Sequence, residues 1–389
     1  MTLHLDAQPQ TTRAEPLPSR DHAHSTENQP VSWPAIQTEA ARPRAIHAAR
    51  RGVPLLTLPP PHAVPPRSRL IASLPEDVLL LCRSALERPG SRHGRARAAL
   101  ASRLPPVPRS RRSAGLARLA ATQPADCDTH DAFFRIRRCD AAPAERFLLG
   151  LFDAHRLLRR DIAQTMTSLP EERLAILADG LLAILAAAIG HAKLAPSRWK
   201  RQERETSPDN AGLRWIRGHQ IFAVLSQGMI FALAEMDGAD RSGDAARRAG
   251  AADLMADLLA ASAVSLELTG DFPESYYRQT VRVGMESPFL PRGFSGLLSR
   301  DHRELVAQMK RLRPMIDRLR EQAPELHARI TRNLGAVYAS HKHVCARFVG
   351  ADQSSLLMAE TQGRSAVEQI DRFEAMRLRS WAPAAETGR

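Results

Sequence analysis

The feature that most constrains this fold is the spacing of apolar side chains, which recur every three or four residues through most of the sequence after residue 130. This spacing puts apolar side chains on one face of an α-helix. It predicts helices over 144–166, 174–189, 213–236, 245–268, 301–322, 323–350 and 354–379, with a loop at 238–243. The alternating pattern typical of β-strands is nearly absent. We therefore expect an all-α fold, a helical bundle.

The helix predicted over 323–350 carries a pair of residues with metal and thiol chemistry. Pro324 suits its first turn, and Gly350 suits its end. His341 and Cys345 are four residues apart, so their side chains stand one above the other on the same face. An imidazole there can bind the metal of a flat ligand while the thiol reaches the edge of its ring. A His four residues before a Cys is also common by chance.

Two further histidines bear on this interpretation. His302 lies 39 positions before His341, and a hairpin of the two helices turning near Ala323 would bring both to similar levels. Pro314 should kink or break the first of these helices. His219 lies on a partly apolar helix face and is more typical of a core histidine than of a ligand.

The spacing of His302, His341 and Cys345 resembles the heme-binding signature of a known enzyme family. This family comprises the 3-methyl-L-tyrosine hydroxylases (peroxygenases) of saframycin-type antibiotic biosynthesis. They belong to the heme-dependent aromatic oxygenases, which are related to tryptophan 2,3-dioxygenase. The similarity includes the segments 270–277 and 293–302, and it extends from about residue 133 to residue 381.

The resemblance implies a fold, a cofactor and a reaction. The fold would be a bundle like that of tryptophan 2,3-dioxygenase. The cofactor would be heme c, with iron bound by His341 and a single thioether to Cys345. His302 would bind iron on the opposite face or act there as a catalytic acid–base group. Hydrogen peroxide would hydroxylate 3-methyl-L-tyrosine to 3-hydroxy-5-methyl-L-tyrosine. The partners would be these small molecules and not nucleic acid, and a homodimer is left open.

Candidate substrate contacts lie in the segment that follows the fourth long helix. Arg278 or Arg282 can clamp an amino-acid carboxylate through two parallel hydrogen bonds. Tyr276 and Phe294 can stack on an aromatic ring, and Tyr277 lies beside them. The alternative is an ordinary packed loop with surface arginines.

The charge distribution divides the sequence into two regions. The net charge is +13, of which residues 1–120 carry +10, and the same residues hold 17 of the 28 prolines. We expect a largely disordered leader over 1–125, with short helices at 70–86 and 91–103, and a helical heme-binding catalytic domain over 126–389. A basic arm that binds nucleic acid, in a helical regulator, is the alternative of a different class.

The remaining sequence features exclude several classes. The four cysteines form no CxxC or zinc-finger pattern, so reduced thiols and a cytoplasmic location are expected. No secretory signal is predicted at the N-terminus, and no run of eighteen apolar residues predicts a membrane span. Two alternatives stay open: a heme enzyme that hydroxylates L-tyrosine itself, and a zinc site at His341, His343 and Cys345.

Overall fold

In the computed structural model, the described residues belong to one unit, Trp33–Arg389. They are residues 46, 49–87, 91–106, 126–191, 197, 208–285, 296–350 and 365–381. Residues 1–45, for which a poorly ordered extension is predicted, lie outside this set.

The described part of the proline- and arginine-rich region packs into the main core. It contains strand β1 (Leu56–Leu58), a 3₁₀ turn (Pro61–Ala63) and helices α1 (Arg67–Ser73), α2 (Glu76–Glu87) and α3 (Ser91–Ser102). Its apolar side chains belong to the same buried cluster as those of the later helices. The two predicted short helices are present, but between residues 46 and 106 the prediction of a separate leader was wrong.

A two-stranded parallel pairing joins this region to the rest of the chain. Helix α4 (Asp126–Phe133) leads into strand β2 (Ile136–Arg138), and Leu56 on β1 lies opposite Ile136 on β2. Within the described residues this is the only sheet, and it has three residues on each strand.

Four long helices form the centre of the molecule. They are α5 (Pro143–Gln164), α6 (Glu171–Ala188), α7 (Pro208–Ser242) and α8 (Ala245–Thr269). Helix α8 packs against α7 and α6, and α7 packs against α5. The predicted loop at 238–243 was wrong for most of its length, because α7 remains helical to Ser242.

A close approach of α7 to α8 depends on a glycine. A Cβ atom added at Gly218 would lie 2.0 Å from Oγ1 of Thr269. The missing side chain therefore lets the two helices approach each other, as glycine in a helix interior can allow at some cost in chain entropy.

The C-terminal third carries the candidate ligands. After a helical turn, α9 (Glu274–Tyr276), the chain forms a π-helix (Tyr277–Arg282). The remaining helices are α10 (Arg300–Arg311), α11 (Arg313–Gln322), α12 (Pro324–Phe348) and α13 (Ala366–Trp381). Helix α10 packs chiefly against α7, whereas α12 packs against α8 and α13.

The prediction of an all-α fold is confirmed by these elements. Pro314 breaks the predicted helix 301–322 into α10 and α11, as expected from the hydrogen bond that proline cannot donate. Helices α7 and α8 are long and apolar enough to cross a membrane, but 78% and 67% of their apolar windows are buried. Burial of this kind is typical of core helices.

Candidate active site

His302 lies in the first turn of α10. The hydroxyl of Ser299 caps this helix by accepting a hydrogen bond from the backbone N–H of His302 at 3.4 Å. The preceding residues, Arg300 and Asp301, are fully buried, whereas His302 is half-buried. The ring therefore lies at the margin of the core.

His341 and Cys345 lie on one face of α12, which is held on three sides. Ser340 donates a hydrogen bond to Glu267 of α8 at 2.9 Å. Lys342 forms ion pairs with two carboxylates of α13, at 2.9 and 2.7 Å. Arg347 donates to the backbone carbonyls of residues 270 and 272, at 3.1 and 2.8 Å. The histidine and the cysteine therefore stand on a well-anchored helix.

The surroundings of His302 on α10 and of His341 on α12 lower the pKa of both imidazoles. Burial, followed by the charge of Arg377 and smaller effects of His341 and Arg303, lowers the pKa of His302 to about 4. Burial alone lowers the pKa of His341 to about 4. Both imidazoles are therefore neutral at pH 7 and have lone pairs for a metal. Neither ring has a hydrogen-bond partner among the described residues.

Cys345 completes the predicted set. Its side chain is half-buried, and burial raises the pKa of its thiol to about 11. The sulfur is therefore a neutral thiol at pH 7 and not a thiolate nucleophile. The cysteine is free of any disulfide.

His219 of α7 is packed as a core histidine, as the sequence indicated. Its Nδ1 lies 2.7 Å from the backbone oxygen of Trp215, and its ring stacks on Phe134 with centroids 3.9 Å apart. Burial lowers the pKa of His219 to about 3, with smaller contributions from His130 and His341 and against the opposing effect of the hydrogen bond to Trp215. His219 is therefore a neutral histidine of the packed core.

An aromatic cluster connects Trp215 of α7 to the end of α12. Trp215 meets Tyr277 edge-on at 5.5 Å between ring centroids, and Tyr277 stacks on Phe348 at 4.4 Å. Phe272 stacks on the same Phe348 at 5.0 Å. Phe348 lies three residues after Cys345, so this packing fixes the turn of α12 that carries the thiol.

The structure does not gather the predicted substrate residues into an open binding surface. Tyr276 and Tyr277 are buried, and Phe348 already covers one face of the Tyr277 ring. Arg278 is exposed and ion-paired with Glu274, and Arg282 is half-buried. Phe294 lies outside the described residues. A substrate role for these five residues stays a prediction.

The sequence analysis missed a cation beside the histidines. Arg377 of α13 lowers the pKa of His302 and hydrogen-bonds to Tyr338, which lies one turn before His341. The sequence shows that Arg377 lies in the last predicted helix. It does not show which other elements this helix packs against.

The zinc alternative finds no support. His343 is exposed on α12, although it lies only two residues from His341 and from Cys345. In the part of the chain that the structure describes, no three His, Cys, Asp or Glu side chains are grouped to hold a metal ion.

Comparison with known families identifies the family of this chain. A family model described as SfmD 3-methyl-L-tyrosine peroxygenase matches residues 57–328, well over half of the chain. The chain belongs to this family. The match includes His302 and ends before His341 and Cys345.

One relative of this chain is the 3-methyl-L-tyrosine peroxygenase of Streptomyces lavendulae. It is 33% identical to this chain over 177 residues, which are 45% of this chain and 48% of the relative. The chain thus matches about half the length of this curated relative.

A solved structure confirms the fold of the peroxygenase family for this chain. It is described as the crystal structure of reduced SfmD by soaking with sodium hydrosulfite. The similarity has a TM-score of 0.61 at 23% sequence identity, and it covers 76% of this chain and 99% of the other.

Proposed function

We propose that this chain is a heme-dependent peroxygenase that hydroxylates 3-methyl-L-tyrosine. The reaction would be 3-methyl-L-tyrosine plus hydrogen peroxide to 3-hydroxy-5-methyl-L-tyrosine plus water. The product would be a building block for tetrahydroisoquinoline antibiotics. The reaction would take place in the cytoplasm. The observation that carries the proposal is the match of residues 57–328 to the peroxygenase family, and His302 and His341 add two imidazoles whose pKa values burial lowers to about 4.

The donor set fits a heme. Neutral imidazole is a common ligand of heme iron, and His302 and His341 would hold the iron. Cys345, one turn after His341, would form a single thioether to the cofactor, which would then be a heme c. When bound, the heme would supply the oxidising chemistry with peroxide.

Two roles are open to His302. As a ligand, His302 would hold the heme iron. As an acid–base group, one of its ring nitrogens would accept a proton from hydrogen peroxide and return it to the hydroxide that leaves, which gives water. The lowered pKa supports both roles, because each requires a neutral imidazole.

Arg377 suits the binding of a carboxylate near His302. Its guanidinium presents several donors in a fixed fork, which matches the carboxylate of an amino-acid substrate or of the heme. It is half-buried and bonded to Tyr338, so its position is constrained before any ligand arrives.

The decisive test is to express the protein with a heme supply and to record its absorption spectrum and intact mass. We expect a Soret band and a mass gain of about 616 Da, the mass of one heme. His341→Ala should lose the parent spectrum, whereas His343→Ala, an exposed histidine on the same helix, should keep it. A colourless parent protein would contradict the cofactor assignment.

The reaction is tested with ¹⁸O-labelled hydrogen peroxide. We expect one labelled oxygen in the product from 3-methyl-L-tyrosine. Faster turnover of L-tyrosine than of 3-methyl-L-tyrosine in a competition assay would favour the alternative of an L-tyrosine hydroxylase.

A further inference from the structure

The turn that carries His302 is tied to the core by a buried ionic network. Asp301, the residue just before His302, is fully buried and accepts two hydrogen bonds from Arg138 of β2, at 2.9 and 2.6 Å. It also accepts one from Gln227 of α7 at 2.9 Å. A single carboxylate therefore joins α10 to both β2 and α7.

The same guanidinium is held from its other side. Arg138 donates to Asp131 of α4 at 2.9 and 3.1 Å, so two carboxylates grip it. Arg300 adds a second cation, bonded to Asp128 at 2.9 Å and 3.4 Å from Asp131. The four buried charges, Arg138, Arg300, Asp131 and Asp301, cancel each other.

The charges of Asp131 and Arg138 are fixed by their environment, whereas burial raises the pKa of Asp301 against the opposing effect of Arg138. Burial opposes ionisation of Asp131, but the charge and hydrogen bonds of Arg138 outweigh it and lower the pKa to about 2. The pKa of Arg138 is raised: the two carboxylates outweigh the effect of burial. The guanidinium is therefore a permanent positive centre between α4 and α10.

We propose that Arg138, acting through Asp301, is a positioning residue that sets the direction of the His302 ring. This inference rests on the proposed heme function. Neighbouring residues on an α-helix differ by about 100° around its axis. Once Asp301 is held at a fixed angle by three hydrogen bonds, the angle of His302 is fixed as well, because α10 cannot turn about its axis.

The composition of the network favours positioning over bulk stability. A buried ion pair often gives no more net stability than apolar side chains of similar size, since both charges must be desolvated. It does impose direction, because the fork of Arg138 donates to each carboxylate in one geometry. The residues held in this way are the two that precede His302.

The test compares Asp301→Asn with a matched control, Glu235→Gln. Glu235 is also a buried carboxylate, bonded to Arg247 at 2.7 Å, but it lies eight residues after Gln227 on α7, about 12 Å along the helix. Hydrogen exchange of residues 299–305 and the spectrum of the heme-loaded protein are measured for both variants.

We expect Asp301→Asn to speed exchange in 299–305 by about tenfold and to alter the heme-ligand spectrum. Glu235→Gln should change neither, even where it lowers the melting temperature equally. Parent-like exchange and spectrum in Asp301→Asn, or equal changes in Glu235→Gln, would overturn the inference. If Asp301→Asn does not fold, Arg138→Lys, which keeps the charge but loses the fork, gives the same two readouts.

The two proposals fail in different ways. A parent protein that binds no heme would refute the proposed function. A parent that binds heme, with an unaltered spectrum and unaltered exchange in Asp301→Asn, would refute only the positioning role.

Discussion

The contact between α7 and α8 at Gly218 gives a prediction whose size can be worked out from distances. In Gly218→Ala the new methyl group would meet three atoms of Thr269: Oγ1 at 2.0 Å, Cβ at 2.8 Å and Cγ2 at 2.9 Å. Rotating the Thr269 side chain cannot relieve the contact with Cβ. The two helix backbones must therefore move apart.

Two opposing terms set the expected change in free energy of unfolding. Alanine in place of glycine in a helix interior gains about 1 kcal/mol. Overpacking a well-filled contact costs about 1–3 kcal/mol, and the upper part of this range applies because the backbone must shift. Thr269 is also buried and donates to the carbonyl of Ser265 at 2.6 Å. We expect a net loss of about 1–2 kcal/mol.

The assay is guanidinium unfolding followed by circular dichroism, with Gly250→Ala as the matched control. Gly250 lies in α8, and an added Cβ would meet nothing within 4 Å. The control should therefore gain about 1 kcal/mol. Adding Thr269→Ala to Gly218→Ala should restore part of the loss, since Cβ remains in contact. Equal midpoints for Gly218→Ala and Gly250→Ala would refute the reasoning.

The other predictions concern single residues and the chain start. Arg214→Leu should lower the unfolding free energy by about 3–5 kcal/mol, measured by denaturant titration, because it removes a buried ion-pair partner of both Asp161 and Asp271; a loss below 1 kcal/mol would contradict this. Cys345→Ser should let acidified organic solvent extract the heme, and heme retained after extraction would exclude the thioether. Burial lowers the pKa of His155 to about 3, so its protonation favours the unfolded chain and stability falls as pH drops from 6.5 towards 3. His155→Phe should reduce this fall in melting temperature, and a parent-like pH profile would show that another group causes it. A chain starting at residue 59 loses β1 and should melt at a lower temperature than the parent chain; equal melting temperatures would show that β1 is dispensable.

The long helices and their breaks were predictable because their signals are local. The helix predicted over 323–350 is α12, with Pro324 in its first turn and a positive φ at Gly350. Pro314 marks the break before α11 for a covalent reason. His302, His341 and Cys345 could be chosen from spacing and resemblance, and their role as a site stays a prediction.

What the sequence did not show depends on contacts between distant residues. The packing of Leu56 beside Ile136 has no local signal, so the segment around it was taken for a leader. The hydrogen bond from Arg138 to Asp301 joins residues that are 163 positions apart, and neither residue stands out in its own segment. Tyr277 was predicted to be available to a substrate, but its partner Phe348 lies on another helix.

The support of α10 by α7 and of α12 by α8 has a consequence for the timing of biosynthesis. Both supporting helices are complete at Thr269, whereas α12 ends at Phe348. At about 5–20 residues per second, a ribosome needs roughly 4–16 s for the stretch between them. The two histidine-bearing helices are thus synthesised after α7 and α8, the helices against which they pack. Any cofactor held between them is acquired as one of the last events in the maturation of the chain.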